Sequence, residues 1–210
     1  MARQNFKPGT LEAPLPAVMV SVGDMCESNI LTVAWTGILS SDPPRTYISV
    51  RPSRHSHKIL EEKREFVINL TNEKLAFATD YVGIYTGAKV NKFEKCGLTK
   101  EKSEVVSAPT IKEAPVALEC RVFDVIHSGT HDIFMADIVN VSCDEELIDE
   151  NGKICFERAK LIAYSHGEYF ALGKKLGRFG FSTDKKKCGA KKRCAQKRKN
   201  SEKSGGAKKK

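Results

Sequence analysis

The segment NILTVAWTGILSSDPPRTYISVRPSRHSH, residues 29–57, decides the fold class. Two runs rich in β-branched and aromatic residues, ILTVAW (30–35) and TYISV (46–50), flank Asp42-Pro43-Pro44, and Pro52 with a polar cluster follows. Such runs bounded by Pro, Asp and Ser read as short strands, and the Asp-Pro-Pro sequence forces a rigid turn between them. The same pattern continues outward in AVMVSV (17–22), EFVINL (65–70) and the longer pair VALECRVFDVIHS (116–128) and DIFMADIVNVSC (132–143), whose SGTH link reads as a hairpin turn. Three helical pieces intervene. SRHSHKILEEK (53–63) opens on Ser53 as its cap, NEKLAFATDYVG (72–83) ends at Gly83, and KVNKFEKCG (89–97) ends at Gly97. Many short strands with a few inserted helices predict a mainly β protein, a closed or nearly closed barrel with short helical excursions. Regular strand–helix alternation and a glycine fingerprint are both missing, which argues against a doubly wound parallel sheet.

The net charge of +9 divides unevenly. Residues 185–210 hold thirteen Lys or Arg against one Glu, a balance of +12, leaving 22 basic and 25 acidic groups in residues 1–184. We therefore expect one mildly acidic folded domain over 1–184 and a disordered basic tail over 185–210, which lacks the Val, Ile, Leu and aromatic residues that would offset its ordering entropy. The tail fits either a solubilising extension or a contact with nucleic acid or another acidic partner. Seven cysteines, scattered and without a CxxC pair, predict free thiols in a reducing compartment; Cys188 and Cys194 in the tail form a poor zinc pattern. No apolar run approaches a membrane span and the N-terminus has no signal-peptide core, so the expected location is cytoplasmic, without membrane contact.

The polar residues gather in a few places. RPSRHS (51–56) puts Arg51, Ser53, Arg54, His55 and Ser56 at a helix start, where unpaired N–H groups and guanidinium or hydroxyl donors suit a phosphate; a solvated helix start is the plain alternative. Asn29 and Thr32 place polar groups in or beside a strand that should bury one face. Trp35, the sole tryptophan, fits either the core or the wall of a flat cofactor site. Gly83 and Gly87 loosen a loop leading to Lys89 and Lys92, which are either surface lysines or, for Lys92, a second positive charge for the same anion or for an electron-rich ring. His131, after the SGT turn, is either structural or a hydrogen-bond donor to a ligand. No GxSxG, HExxH or P-loop motif is present, which directs attention to a protein whose cofactor carries the chemistry.

Taken in order, SNILTVAWTGILSSDPPRTYISVRPSRHSH, EFVINL, ATDYVGIYTGAKVNKF, APTIKEAPVALECRV, SGTHDIFMADIVNV and LIAYSHGEYFALGKKLGRFGFS resemble the flavin reductase-like, FMN-binding split-barrel family, most of all its flavoredoxin-type members. The resemblance implies a six-stranded Greek-key barrel with FMN at or near a homodimer interface, and a nicotinamide or protein electron donor. It places Asn29 and Thr32 on the flavin or its ribityl chain, Trp35 against the isoalloxazine, and Arg51, Ser53, His55 and Ser56 around the phosphate. Thr86, Lys89 and Lys92 add contacts, and Tyr164 packs a ring beside the flavin. His131, in the catalytic position, approaches the reactive side; it occupies the family's Gly-Asp-His turn, which reads Gly129-Thr130-His131 here. The implied function is a redox flavoprotein, either an electron carrier that retains FMN or an NAD(P)H:flavin oxidoreductase. The competing expectation is an FMN-holding or nucleic-acid-associated binding protein that acts through its basic tail without turnover.

Overall fold

Seven strands pair antiparallel into one sheet in the computed structural model, which describes residues 2–183. In chain order they are β2 (Val18–Gly23), β3 (Ser28–Val33), β4 (Thr36–Ser41), β5 (Pro44–Val50), β6 (Glu65–Leu70), β9 (Val116–Ser128) and β10 (His131–Cys143). In space they run β3-β2-β6-β9-β10-β5-β4. The short β1 (Leu15–Pro16) joins the late hairpin β11 (Ile162–Ser165) and β12 (Glu168–Ala171) in a separate three-stranded sheet, and β7 (Lys100–Glu101) pairs with β8 (Thr110–Ile111). The helices are α1 (His55–Lys63), α2 (Ala76–Ile84) and α3 (Lys92–Lys95). The chain as far as Gly173 forms one compact unit; the described residues beyond it contain a single helical turn, Phe181–Thr183. The tail expectations, including Cys188 and Cys194, lie outside the described residues, and the five described cysteines are free thiols.

Six strands wall the barrel. Its core contains Val18, Val20 and Val22 of β2, Leu31 and Val33 of β3, Ile48 and Val50 of β5, Phe66 and Ile68 of β6, Cys120 and Val122 of β9, and Phe134 and Ala136 of β10, with Leu60 of α1. No β4 residue enters this core, so β4 is a seventh, edge strand folded against β5 rather than a stave. The unbroken burial of β2, Ser21 included, is explained by what covers its two faces. The valines point into the barrel, while Met19 packs outward with Ile30 beneath Leu75, Ala78 and Val82 of the α2 region and Phe93 of α3.

Local chemistry sets the boundaries. The β9–β10 hairpin closes through Gly129-Thr130, with Ser128 paired to His131 and Gly129 at φ 59, the positive value that the first position of such a two-residue turn requires. Register shifts after Met135 and Ile138 interrupt the ladder of this hairpin, the usual device for bending long strands round a barrel. β3 ends at Val33, so Trp35 lies between strands rather than in one, its carbonyl accepting from the Ser49 N–H at 2.9 Å. Ser53 is not the cap of α1. A turn in which the Arg54 N–H bonds the Arg51 carbonyl carries the chain past Ser53, and Arg54 takes the cap position without a side-chain bond. α2 runs through Gly83 to Ile84; a Cβ on Gly83 would lie 3.1 Å from Thr32 Cβ, so this glycine permits close helix–strand packing and does not end the helix. Gly97 at φ 62 does follow the end of α3. Glu119, 2% exposed, accepts the backbone N–H groups of Glu104, Val105 and Val106 and the Asn140 amide, tying an irregular loop to the barrel wall.

Candidate functional site

A cavity of about 660 Å³ opens where β3 and β5 face each other without pairing. Leu31–Val33 and Ser49–Val50 form its floor, Gly83 and Ile84 of α2 one side, and Tyr164 and Tyr169 of the β11–β12 hairpin another. The two tyrosine rings meet edge to face, 5.6 Å between centroids. Trp35 and His131 add a second aromatic pair at 4.4 Å. A narrower annex of about 80 Å³ shares Leu31, Thr32, Arg54 and Gly83 with this cavity.

The expected residues divide between the two spaces. Trp35, Arg51, His131 and Tyr164 line the main cavity; Asn29, Ser53, His55, Ser56, Thr86 and Lys92 line the annex; Thr32 lines both. Lys89 lines neither. Its backbone N–H closes the turn onto the Thr86 carbonyl at 3.1 Å.

The annex is built for charge. Asn29 Nδ2 donates to Ser56 Oγ at 2.7 Å, and Gly87 lets its loop approach so closely that a Cβ there would fall 2.2 Å from Asn29 Oδ1. Thr32 Oγ1 donates to the Thr79 carbonyl, locking β3 to α2. Lys92 is only 5% exposed. Its ammonium donates to the Ile30 carbonyl and to the Val82 carbonyl, both at 2.7 Å. The first belongs to an edge strand and the second to the last turn of α2, where orphan carbonyls and the helix dipole favour a cation. Two carbonyls leave one ammonium hydrogen unassigned and the charge unneutralised. Burial, and then the Arg54 guanidinium, push the Lys92 ammonium down from 10.5 to about 8. A buried lysine held by dipoles alone, beside an arginine, has the chemistry to receive an anion.

Across the main cavity His131 is held below its ordinary value, first by burial and then by Arg51 and Arg54, so its imidazole is neutral at pH 7. Thr130 Oγ1 lies 2.9 Å from its Nδ1. Arg54, one of the donors at the helix start but not among the residues the family resemblance implies, lines both spaces; its place between Ser53 and His55 is the available signal. Asp80, His166 and Tyr169 also line the cavity but come from α2 and from a hairpin distant in sequence, with no local signature. Burial, and then Asp80, which accepts the phenol hydrogen bond, push Tyr169 up to about 12.

A split antiparallel barrel with an aromatic-walled cavity at the split and a cationic annex defines a ligand-binding split-barrel protein. Residues 11–173 match the flavin reductase like domain, and the chain belongs to that family. The flavoredoxin of Desulfovibrio vulgaris (Miyazaki F) is similar, with a TM-score of 0.81 and 29% identity over 88% of this chain and 100% of that one. The FMN-binding protein of Thermus thermophilus shares the fold at a TM-score of 0.71 and 24% identity, over 85% of this chain and 98% of that one. A protein of Archaeoglobus fulgidus is 33% identical over 129 residues, 61% of this chain and 72% of its own. Among the described residues no helix is long and apolar enough to cross a membrane.

Proposed function

We propose that this protein is a redox flavoprotein that holds FMN non-covalently, with the flavin ring in the main cavity and the phosphate in the annex. The observation that carries the reading is the buried Lys92 ammonium, bound only to carbonyls and lying with Arg54, Asn29 and Ser56 in a narrow annex off an aromatic-walled cavity. That donor set fits a terminal phosphate, and the small annex suits the single phosphate of FMN better than the dinucleotide chain of FAD. Bound flavin supplies the hydride and electron chemistry. The protein's residues bind and orient: Lys92 and Arg54 neutralise the phosphate, Trp35 and Tyr164 flank the ring space, and Arg51 adds positive charge to the rim. His131, neutral at pH 7, positions an incoming donor or hydrogen-bonds the ring edge.

We favour a carrier that retains its flavin, in the manner of flavoredoxin, over a reductase that releases it, because so many donors converge on the phosphate end. The electron source is a nicotinamide or a reduced protein. A homodimer belongs to this reading. Its support is the exposed Phe77 and Ile84 of α2 and the exposed Tyr85 that caps it, with the half-buried Tyr81 stacked on Tyr85 at 4.3 Å and Ile84 lining the cavity. Light scattering should return the mass of two chains.

The test is anaerobic reduction of the FMN-reconstituted protein, followed by the loss of flavin absorbance, with NADH, NADPH and a low-potential electron-carrier protein offered separately. Reduction by one of them, with flavin retained through gel filtration, supports the carrier. Loss of the flavin on reduction would reassign the protein as a flavin reductase, and reduction by none would overturn the redox reading.

A further inference from the structure

We propose that Asp132 is a positioning residue for His131, clamped from two sides so that the His131 ring is held against Trp35. Successive residues of β10 point to opposite faces, and Asp132 lies behind His131, 6% exposed. Its two carboxylate oxygens are both engaged. Oδ2 lies 2.6 Å from Nε2 of the buried His57, and Oδ1 lies 2.7 Å from Nδ1 of His127. His57 is fixed in turn, with its ring edge-on to Phe134 at 5.3 Å and its Nδ1 3.3 Å from Glu61. Asp132 also pairs with Val50 in the ladder to β5. A change in backbone torsion at His131–Asp132 would therefore disturb contacts to α1, β5 and β9 together.

The clamp has a second end. His57 directly follows Ser56, which receives the Asn29 hydrogen bond in the annex. One turn of α1 thus presents Ser56 to the anion site and His57 to the residue behind His131. What the held ring does to a ligand rests on the flavin reading; the holding itself does not.

The charges around His131 provide a test with opposite signs. Arg51 and Arg54 face it from the turn before α1 and, with burial, hold it low, while Asp132 pulls the other way. Removing the Asp132 charge with the ring still in place lowers His131 further. Releasing the ring frees it from burial and from the guanidiniums and returns it toward its ordinary value. Trp35 is the only tryptophan, so its emission reports a protonated imidazole in contact with it.

The experiment is a pH titration of Trp35 fluorescence in the full-length protein, with the inflection assigned by its loss in H131Q. D132N keeps a hydrogen-bonding partner for both histidines but no charge, so the quenching amplitude should be retained and the inflection should move down. D132A removes the clamp, and we expect a reduced amplitude and an inflection that moves up. If D132A behaves like D132N, or neither differs from the parent, the positioning role is refuted. Should D132A fail to fold, H127A decides alone. That side chain is 81% exposed, and burial, Arg51 and Arg54 are the main influences that hold His131 low. An upward move with reduced amplitude supports the clamp, and an unchanged titration overturns it. FMN titrations of the same proteins keep the questions apart: a parent that binds no FMN defeats the flavin reading and leaves the Trp35 result standing.

Discussion

Replacing Lys92 by methionine removes a charge while nearly preserving volume, and its consequences can be worked through from the site. A drop from 10.5 to about 8, at about 1.4 kcal/mol per unit of pH, sets the cost of keeping the ammonium charged at about 3 kcal/mol, and partial solvent screening trims this to about 2. K92M relieves that cost but strands the Ile30 and Val82 carbonyls, at about 1–2 kcal/mol each. The ligand-free variant should therefore unfold within about 2 kcal/mol of the parent. With FMN the balance changes, because a charge-assisted bond to the phosphate, about 1.5–3 kcal/mol, has no replacement and affinity should fall about ten- to a hundredfold. Riboflavin, which has the ring but no phosphate, should bind parent and variant alike. Titration by flavin fluorescence quenching, with urea unfolding of the apo-proteins alongside, measures all three quantities. Equal losses for FMN and riboflavin, or no loss for FMN, would refute the assignment of the annex to the phosphate.

Further predictions follow from the same geometry. The Lys92 ammonium is depressed in the free protein and raised again by a bound phosphate, so the preference for FMN over riboflavin should decline as pH rises through about 8, with proton uptake on binding near that pH, measurable by calorimetry in two buffers. G87A places a Cβ 2.2 Å from Asn29 Oδ1; overpacking of this kind costs about 1–3 kcal/mol, and displacement of Asn29 from Ser56 should weaken FMN binding as well as lower Tm. E119A should destabilise the fold by about 3 kcal/mol or more, since three backbone N–H groups and an amide lose their acceptor. Burial pushes the Glu119 carboxyl up, but those four donors outweigh it and hold it below 4.5. Its contribution is therefore present above pH 4.5 and lost as pH falls through the lower folded value, so the stability gap between parent and E119A should narrow in acid.

Much of the barrel was legible because its strands are short and β-rich, with turn residues between them. EFVINL matches β6 end to end, and the SGTH link is the observed turn. What local reading missed was set by long-range packing. Gly83 resembles a helix stop in sequence, yet it sits inside α2 because Thr32 presses on it. Ser53 has the chemistry of a cap, but the Arg51–Arg54 turn carries the chain past it. The annex is legible because four of its donors, Ser53, Arg54, His55 and Ser56, follow one another in the sequence. The tyrosine wall is half legible: the family resemblance implies Tyr164, while Tyr169 and Asp80 become neighbours only through the hairpin's fold against α2. In sequence Lys92 fits a surface lysine or a positive charge for an anion or an electron-rich ring. That it is buried and bonded to an edge-strand carbonyl could not have been inferred, since nothing around residue 92 encodes the proximity of Ile30.

The most direct measurement is the absorbance spectrum of the purified full-length protein, followed by release and identification of any chromophore. The account predicts a flavin spectrum, or its appearance when FMN is added, and a released compound that is FMN rather than FAD. A colourless protein that takes up no added FMN would contradict it.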